Sequence, residues 1–127
     1  MICLLVDDDG EDQEIFSMAV AQLKKDITLI TANNGAEAIT LVSQMHGAMP
    51  DFVFMDINMP KMNGLECLER LRQIEDIGQT RIFMYSTTSE HAVLERSKAL
   101  GAEGLLVKPA MFVELVDLIA KTLGDDK

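Results

Sequence analysis

Five short apolar runs, each followed by a segment of helical periodicity, constrain this chain more than any other feature. They read ICLLV (Ile2 to Val6), ITLITA (Ile27 to Ala32), DFVFM (Asp51 to Met55), RIFMYS (Arg81 to Ser86) and GLLVK (Gly104 to Lys108). The first, third and fourth are almost continuously apolar, as in parallel strands buried on both faces. The second is β-branched and strand-like. Between the runs, apolar residues recur every three or four positions. Ile15, Phe16, Ala19, Val20 and Leu23 do so within Glu11 to Lys25; Ala38, Ile39, Val42 and Met45 form a second stripe, and Leu65, Leu68, Leu71 and Ile74 a third. A fourth helix is expected from a Ser89 cap to about Leu100, with Glu90 and His91 in its first turn and Gly101 as its stop. Met111 to Leu123 forms the fifth, with Leu115, Leu118 and Ile119 inward. Asn33-Asn34-Gly35 is a turn in which Asn34 can cap the second helix, which closes near Gly47 and Pro50.

Strands that alternate with helices imply a parallel sheet covered on both faces, because right-handed crossovers lay the helices against it. The 127 residues suit one core, and no linker, repeat or low-complexity tract divides them, so residues 1–127 read as a single doubly wound α/β domain. With 48% apolar and 25% charged residues the composition is that of a soluble globular protein. No apolar run approaches the roughly 20 residues of a membrane span, and no signal peptide is evident. Cys3 and Cys67 sit inside apolar patterns without metal-ligand spacing, which points to buried, reduced thiols and a cytoplasmic setting. The net charge of -10 opposes nucleic-acid binding and suits a divalent cation or a basic partner surface.

Ligands of an open α/β sheet sit outside the carboxyl ends of its strands. There the first run delivers Asp7 and Asp8, the third Asp56, the fourth Ser86 and Thr87, and the fifth Lys108; the second delivers only Thr31 and Asn33. Each has an ordinary explanation: Asp7, Asp8 and Asp9 as turn formers and caps, Asp56 as a turn residue before Pro60, Lys108 as a surface lysine. Their convergence is harder to explain that way. Clustered carboxylates raise one another's pKa, and at ~4 Å in an effective dielectric near 20 each unscreened pair costs about 4 kcal/mol. A hard cation together with the lysine relieves that repulsion, and an all-oxygen set suits Mg²⁺. A carboxylate so placed can attack phosphorus, while Lys108 and the Ser86 hydroxyl stabilise the charge that develops. Neither GxxxxGKS/T nor GxGxxG occurs, so free ATP held in this domain is not the expected donor.

The stretches LLVDDD, FMDINMPKMNG, YSTTS and LLVKPA, in that order across the chain, resemble the receiver domain of two-component response regulators, the CheY-like family. The resemblance implies a flavodoxin-like (βα)5 sheet with strand order 2-1-3-4-5. It implies a stand-alone module that takes a phosphoryl group on Asp56 from a sensor histidine kinase or histidine phosphotransfer protein, and that signals through an output protein or a phosphorelay. Asp8, Asp56 and the main-chain carbonyl of Asn58 are then ligands of Mg²⁺, with Asp7 acting through water. Ser86 and Thr87 supply hydroxyls, Lys108 pairs with the phosphoryl group, and Asn58 and Thr88 set its lifetime. The family pattern also implies a cis Lys108-Pro109 bond, and slow autodephosphorylation rather than enzymatic turnover.

One departure concerns position 105, where the family usually has Tyr or Phe and this chain has Leu105, with Tyr85 nearby in sequence. A leucine offers neither a hydroxyl nor a switching ring, which keeps a phosphorylation-independent scaffold as an alternative. An Asp-nucleophile Mg²⁺ phosphohydrolase is a weaker one, because such enzymes need an acid two residues after the nucleophile and this chain has Asn58. No output domain is expected after the last helix, and the acid-rich opening is similar to stand-alone receivers of bacteriophytochromes and other sensor kinases. Neither nucleic acid nor membrane is an expected partner. The chain is expected to be a monomer, or a weak homodimer through the fourth helix, fifth strand and fifth helix, where Val93, Leu94 and Leu105 lie. His46 and His91 read as surface residues, and Met59 and Met62 as loop residues able to meet a partner helix.

Overall fold

A computed structural model describes residues 1–124, so the last residues of the expected 1–127 unit lie outside the described part. Its elements are β1 (Ile2–Val6), α1 (Gly10–Gln22), β2 (Thr28–Ala32), α2 (Gly35–Ser43), β3 (Phe52–Met55), α3 (Gly64–Arg72), β4 (Arg81–Ser86), α4 (His91–Ala99), β5 (Gly104–Val107) and α5 (Phe112–Thr122). All strand pairs are parallel, and the order is β2-β1-β3-β4-β5, as expected.

Why the strand sequences lack alternation is visible in the two cores. Side chains of a strand point alternately to opposite faces, and here both faces are covered. Leu4, Val6, Val53, Met55, Ile82 and Met84 meet Ala38 and Val42 of α2 and Cys67, Leu68 and Leu71 of α3. Cys3, Leu5, Phe52, Phe54 and Tyr85 meet Phe16, Ala19 and Val20 of α1 and Leu115 and Ile119 of α5. Phe54 is central to the second core: its ring is 5.1 Å from Phe16 and stacks at 6.3 Å on Phe83. Burying such a side chain contributes about 1.5–3 kcal/mol. Cys3 and Cys67 are buried free thiols on opposite faces of the sheet.

The helix starts are set locally. Asp9 caps α1 by accepting the Glu11 and Asp12 amides, Asn34 caps α2 through the Glu37 amide at 2.8 Å, and Asn63 caps α3 through the Glu66 amide at 2.9 Å. The expected Ser89 cap does not form. α4 begins one residue later, from Glu90 and without a side-chain cap, and the preceding turn is closed instead by Thr88 Oγ1 accepting the Glu90 amide at 3.3 Å. Gly101, with φ of 110°, ends α4 in the left-handed region as foreseen.

Three further expectations are corrected. Ile15 is 43% exposed although it fits the helical period of α1, because the inward stripe runs through Phe16, Ala19 and Val20 instead. Met59 is buried in the core and Met62 packs against it, since the loop after β3 folds back on itself through Met59 N–H to Ile57 (3.1 Å) and Met62 N–H to Pro60 (2.7 Å). The Lys108-Pro109 bond is trans, no cis peptide occurring among the described residues; trans is the preferred isomer, and Lys108 meets its partners from it.

Candidate functional site

Register alone places the acids side by side. Val6 pairs with Met55, so the next residues, Asp7 and Asp56, leave β1 and β3 together. Backbone bonds extend the ladder past the strand ends: Asp7 N–H donates to Ala32 (3.0 Å), Asp56 N–H to Val6 (2.9 Å) and Lys108 N–H to Ser86 (2.8 Å). Asp7 continues the alternation of Cys3 and Leu5, and Asp56 that of Phe52 and Phe54. Both therefore rise from the α1/α5 side, which Lys108 reaches from β5.

Carboxylate oxygens of Asp7, Asp8 and Asp56 all lie within 4.8 Å of one another. Asp7 is fully buried and Asp56 nearly so, whereas Asp8 is exposed. The Lys108 ammonium is 3.1 Å from Asp7 and 3.8 Å from Asp56. Asp7 also accepts the Asp9 amide at 2.9 Å, which ties the β1–α1 loop to the site. The DDD stretch divides accordingly: Asp9 caps α1, while Asp7 and Asp8 bring carboxylate oxygens close to Asp56.

The electrostatics follow from this crowding. Burial pushes the Asp56 carboxyl up to about 6, with Asp7 and Asp8 adding to the rise and Lys108 and the Asn58 amide opposing it. Burial raises Asp7 too, against the Asp9 amide and Lys108. For Lys108, burial lowers the pKa, but the hydrogen bond to Asp12 and the charges of Asp56 and Asp7 outweigh it and carry the ammonium above its usual value. One ammonium does not neutralise these acids. Three carboxylates from two loops, all offering oxygen, fit a hard divalent cation, and Mg²⁺ commonly binds through one or two carboxylates plus water.

The remaining predicted residues are placed as follows. Ser86 is fully buried, its Oγ 3.4 Å from the Thr88 amide; Thr87 is exposed and Thr88 half-buried. Asn58 is exposed at the mouth of the loop. Leu105 packs half-buried against the core shared with α2 and α3, as does Val93. Tyr85 lies on the opposite side of the sheet, edge-on to Phe16 at 5.5 Å, so it does not take the place of an aromatic at 105. His46 is exposed, and the exposed His91 lies 3.4 Å from Glu95 on the surface of α4.

Three residues of the site escaped sequence reasoning. Asp12 Oδ2 lies 2.9 Å from Lys108 Nζ, nearer than either Asp7 or Asp56. Its signal was present, because Asp12 falls on the same helical stripe as Phe16 and Ala19, an acid in an otherwise inward-facing row. Gln13 Nε2 donates to the Asp7 carbonyl (2.6 Å) and to Asn33 Oδ1 (2.9 Å), joining the β1–α1 and β2–α2 loops. Gly64 packs so closely beneath Asp56 that a Cβ there would collide with the Asp56 carbonyl and sit 2.8 Å from the Ile57 Cα. No sequence pattern announces that approach.

The sequence profile described as the response regulator receiver domain matches residues 3–120. Over 93 residues the chain is 36% identical to the chemotaxis protein CheY of Bacillus subtilis, covering 73% of each. It is 34% identical over 101 residues to the Regulator of RpoS of Escherichia coli, covering 78% of this chain and 28% of that protein. The chain therefore corresponds to well under half of that relative's length. Among solved structures, chemotaxis protein CheY4 of Vibrio cholerae superposes with a TM-score of 0.80 at 28% identity, covering 94% of this chain and 96% of that one.

Proposed function

The chain belongs to the response regulator receiver family, and we propose that Asp56 is its phospho-acceptor. One observation carries this reading: a nearly buried carboxylate at a strand end, within 4.8 Å of two other acids and 3.8 Å from a lysine. Deprotonated Asp56 attacks the phosphorus of a phosphohistidine on a partner kinase or phosphotransfer protein. The P–N bond breaks, a P–O bond to the aspartyl oxygen forms, and the imidazole leaves. Asp8, Asp56 and the Asn58 carbonyl are the groups to hold Mg²⁺, with Asp7 acting through water; the ion supplies charge neutralisation at the phosphoryl oxygens. Lys108 pairs with the phosphoryl group, and the hydroxyls of Ser86 and Thr87 offer it hydrogen bonds. Asn58 and Thr88 flank the acyl phosphate and set access of water to it. A slowly hydrolysing acceptor, rather than a turnover enzyme, follows from the lack of a second acid at position 58.

Residues 1–127 act as one receiver unit in this reading, with an output protein or a phosphorelay downstream. Among the described residues, no helix is long and apolar enough to cross a membrane. A monomer, or a weak pair through α4, β5 and α5, where Val93 and Leu94 are half-buried and Val107 and Val113 exposed, belongs to the same reading. The leucine at 105 keeps one second reading in view, a scaffold that works without phosphorylation.

Incubation with Mg²⁺ and acetyl phosphate or phosphoramidate, followed by intact-mass measurement, tests the proposal. A single phosphate adduct that disappears in Asp56→Asn is the expected result. The absence of any adduct in the wild type would favour the scaffold, and steady turnover of phosphomonoesters would favour a hydrolase.

A further inference from the structure

Lys108 is contested. Its ammonium lies 2.9 Å from Asp12, 3.1 Å from Asp7 and 3.8 Å from Asp56, and 5.2 Å from the centre of the Tyr85 ring. The shortest of its ion pairs is thus made to a helix residue outside the acid cluster, in the first turn of α1. Asp12 itself is partly open to solvent, with a side chain 37% exposed, whereas the lysine side chain is 14% exposed. An ion pair at such a position is held by the partner it faces and can be given up to a stronger one.

We infer that Asp12 is a positioning residue that holds Lys108 back from Asp56 in the unphosphorylated protein and so sets the phosphorylation equilibrium. This rests on the proposed role of Asp56. A phosphoryl group on Asp56 places new anionic oxygens near the ammonium, which then leaves Asp12 for them. The energy of the Asp12 contact is lost on that exchange, so Asp12 favours the unphosphorylated state.

Beryllofluoride, a stable mimic of the aspartyl phosphate, gives the test when titrated with saturating Mg²⁺ into the wild type, Asp12→Asn, Asp12→Glu and Glu11→Gln. Asp12→Asn should bind beryllofluoride about fivefold more tightly, the factor of a partly exposed ion pair. Asp12→Glu should return toward wild type, because the charge can still reach the lysine. Glu11→Gln, which removes a nearby charge outside the lysine's contacts, should leave affinity unchanged. The Asp12→Asn gain should also vanish in a Lys108→Met background. Equal affinities of the wild type and Asp12→Asn would overturn the inference while leaving the acceptor role of Asp56 intact. So would a gain matched by Glu11→Gln or kept without Lys108, since a general charge effect would then explain it. Failure of the wild type itself to bind beryllofluoride would remove the acceptor role, and the inference with it.

Discussion

Neutralising Asp56 should stabilise the metal-free protein, and the effect should grow with pH. Burial and two neighbouring acids raise this carboxyl from 3.8 to about 6 in the folded state, a value that already includes the attraction of Lys108. A folded pKa above the unfolded one means that the native state binds the extra proton between those two values. Stability contributed by this group is therefore present at low pH and lost as pH rises through about 6. A rise of roughly two pH units at about 1.4 kcal/mol each amounts to about 3 kcal/mol. Asp56→Asn keeps the shape and removes the charge. It should match the wild type near about pH 4 and exceed it by about 3 kcal/mol at about pH 7.5, in chelator-treated protein. Urea unfolding at a series of pH values reads this directly, and the other acids largely cancel in the difference. Mg²⁺ at about 100 times its Kd should nearly close the gap, stabilising the wild type by about 2.7 kcal/mol, and at about 1,000 times, worth about 4.1 kcal/mol, it should reverse the order. A pH-independent difference, or an Asp56→Asn protein less stable than wild type at neutral pH without metal, would refute the crowding argument.

Gly64→Ala should lower both stability and the rate of phosphate-adduct formation, because its Cβ would meet the Asp56 carbonyl and shift the acceptor backbone. The cost expected in urea unfolding is about 2–4 kcal/mol, far above the ordinary Gly-to-Ala change at an exposed helix start. Cys3 and Cys67, pushed by burial up to about 11 and about 12, should stay unreactive toward a thiol reagent at neutral pH in the native state. Both should react at once on unfolding, and rapid native-state labelling would contradict their burial.

Much of the fold was legible because its signals are local or periodic. Apolar runs on both faces of a parallel sheet, the Asn34 cap and the Gly101 stop each need only neighbouring residues to be read. The Ser89 cap does not form: the turn before α4 is closed by Thr88 accepting the Glu90 amide, and the helix starts from Glu90, a choice of turn geometry that residue pattern does not encode. Met59 and Met62 were misplaced because a loop's return onto the core depends on backbone bonds that hydrophobicity does not encode.

For the site, the sequence by itself determined which residues arrive at the carboxyl edge: Asp7, Asp8, Asp56 and Lys108 follow strands and Ser86 ends one, and parallel topology sends every strand end to the same side. Tertiary structure alone decided how they share one lysine. Asp12 comes from a helix rather than a strand end, and its 2.9 Å approach to Lys108 depends on α1 packing beside α5 over the sheet. The closeness of Gly64 to Asp56, and the separation of Tyr85 and Leu105 onto opposite faces, have the same origin. Periodicity tells which face a residue occupies on its own element, but distances between elements are set only when all of them pack together.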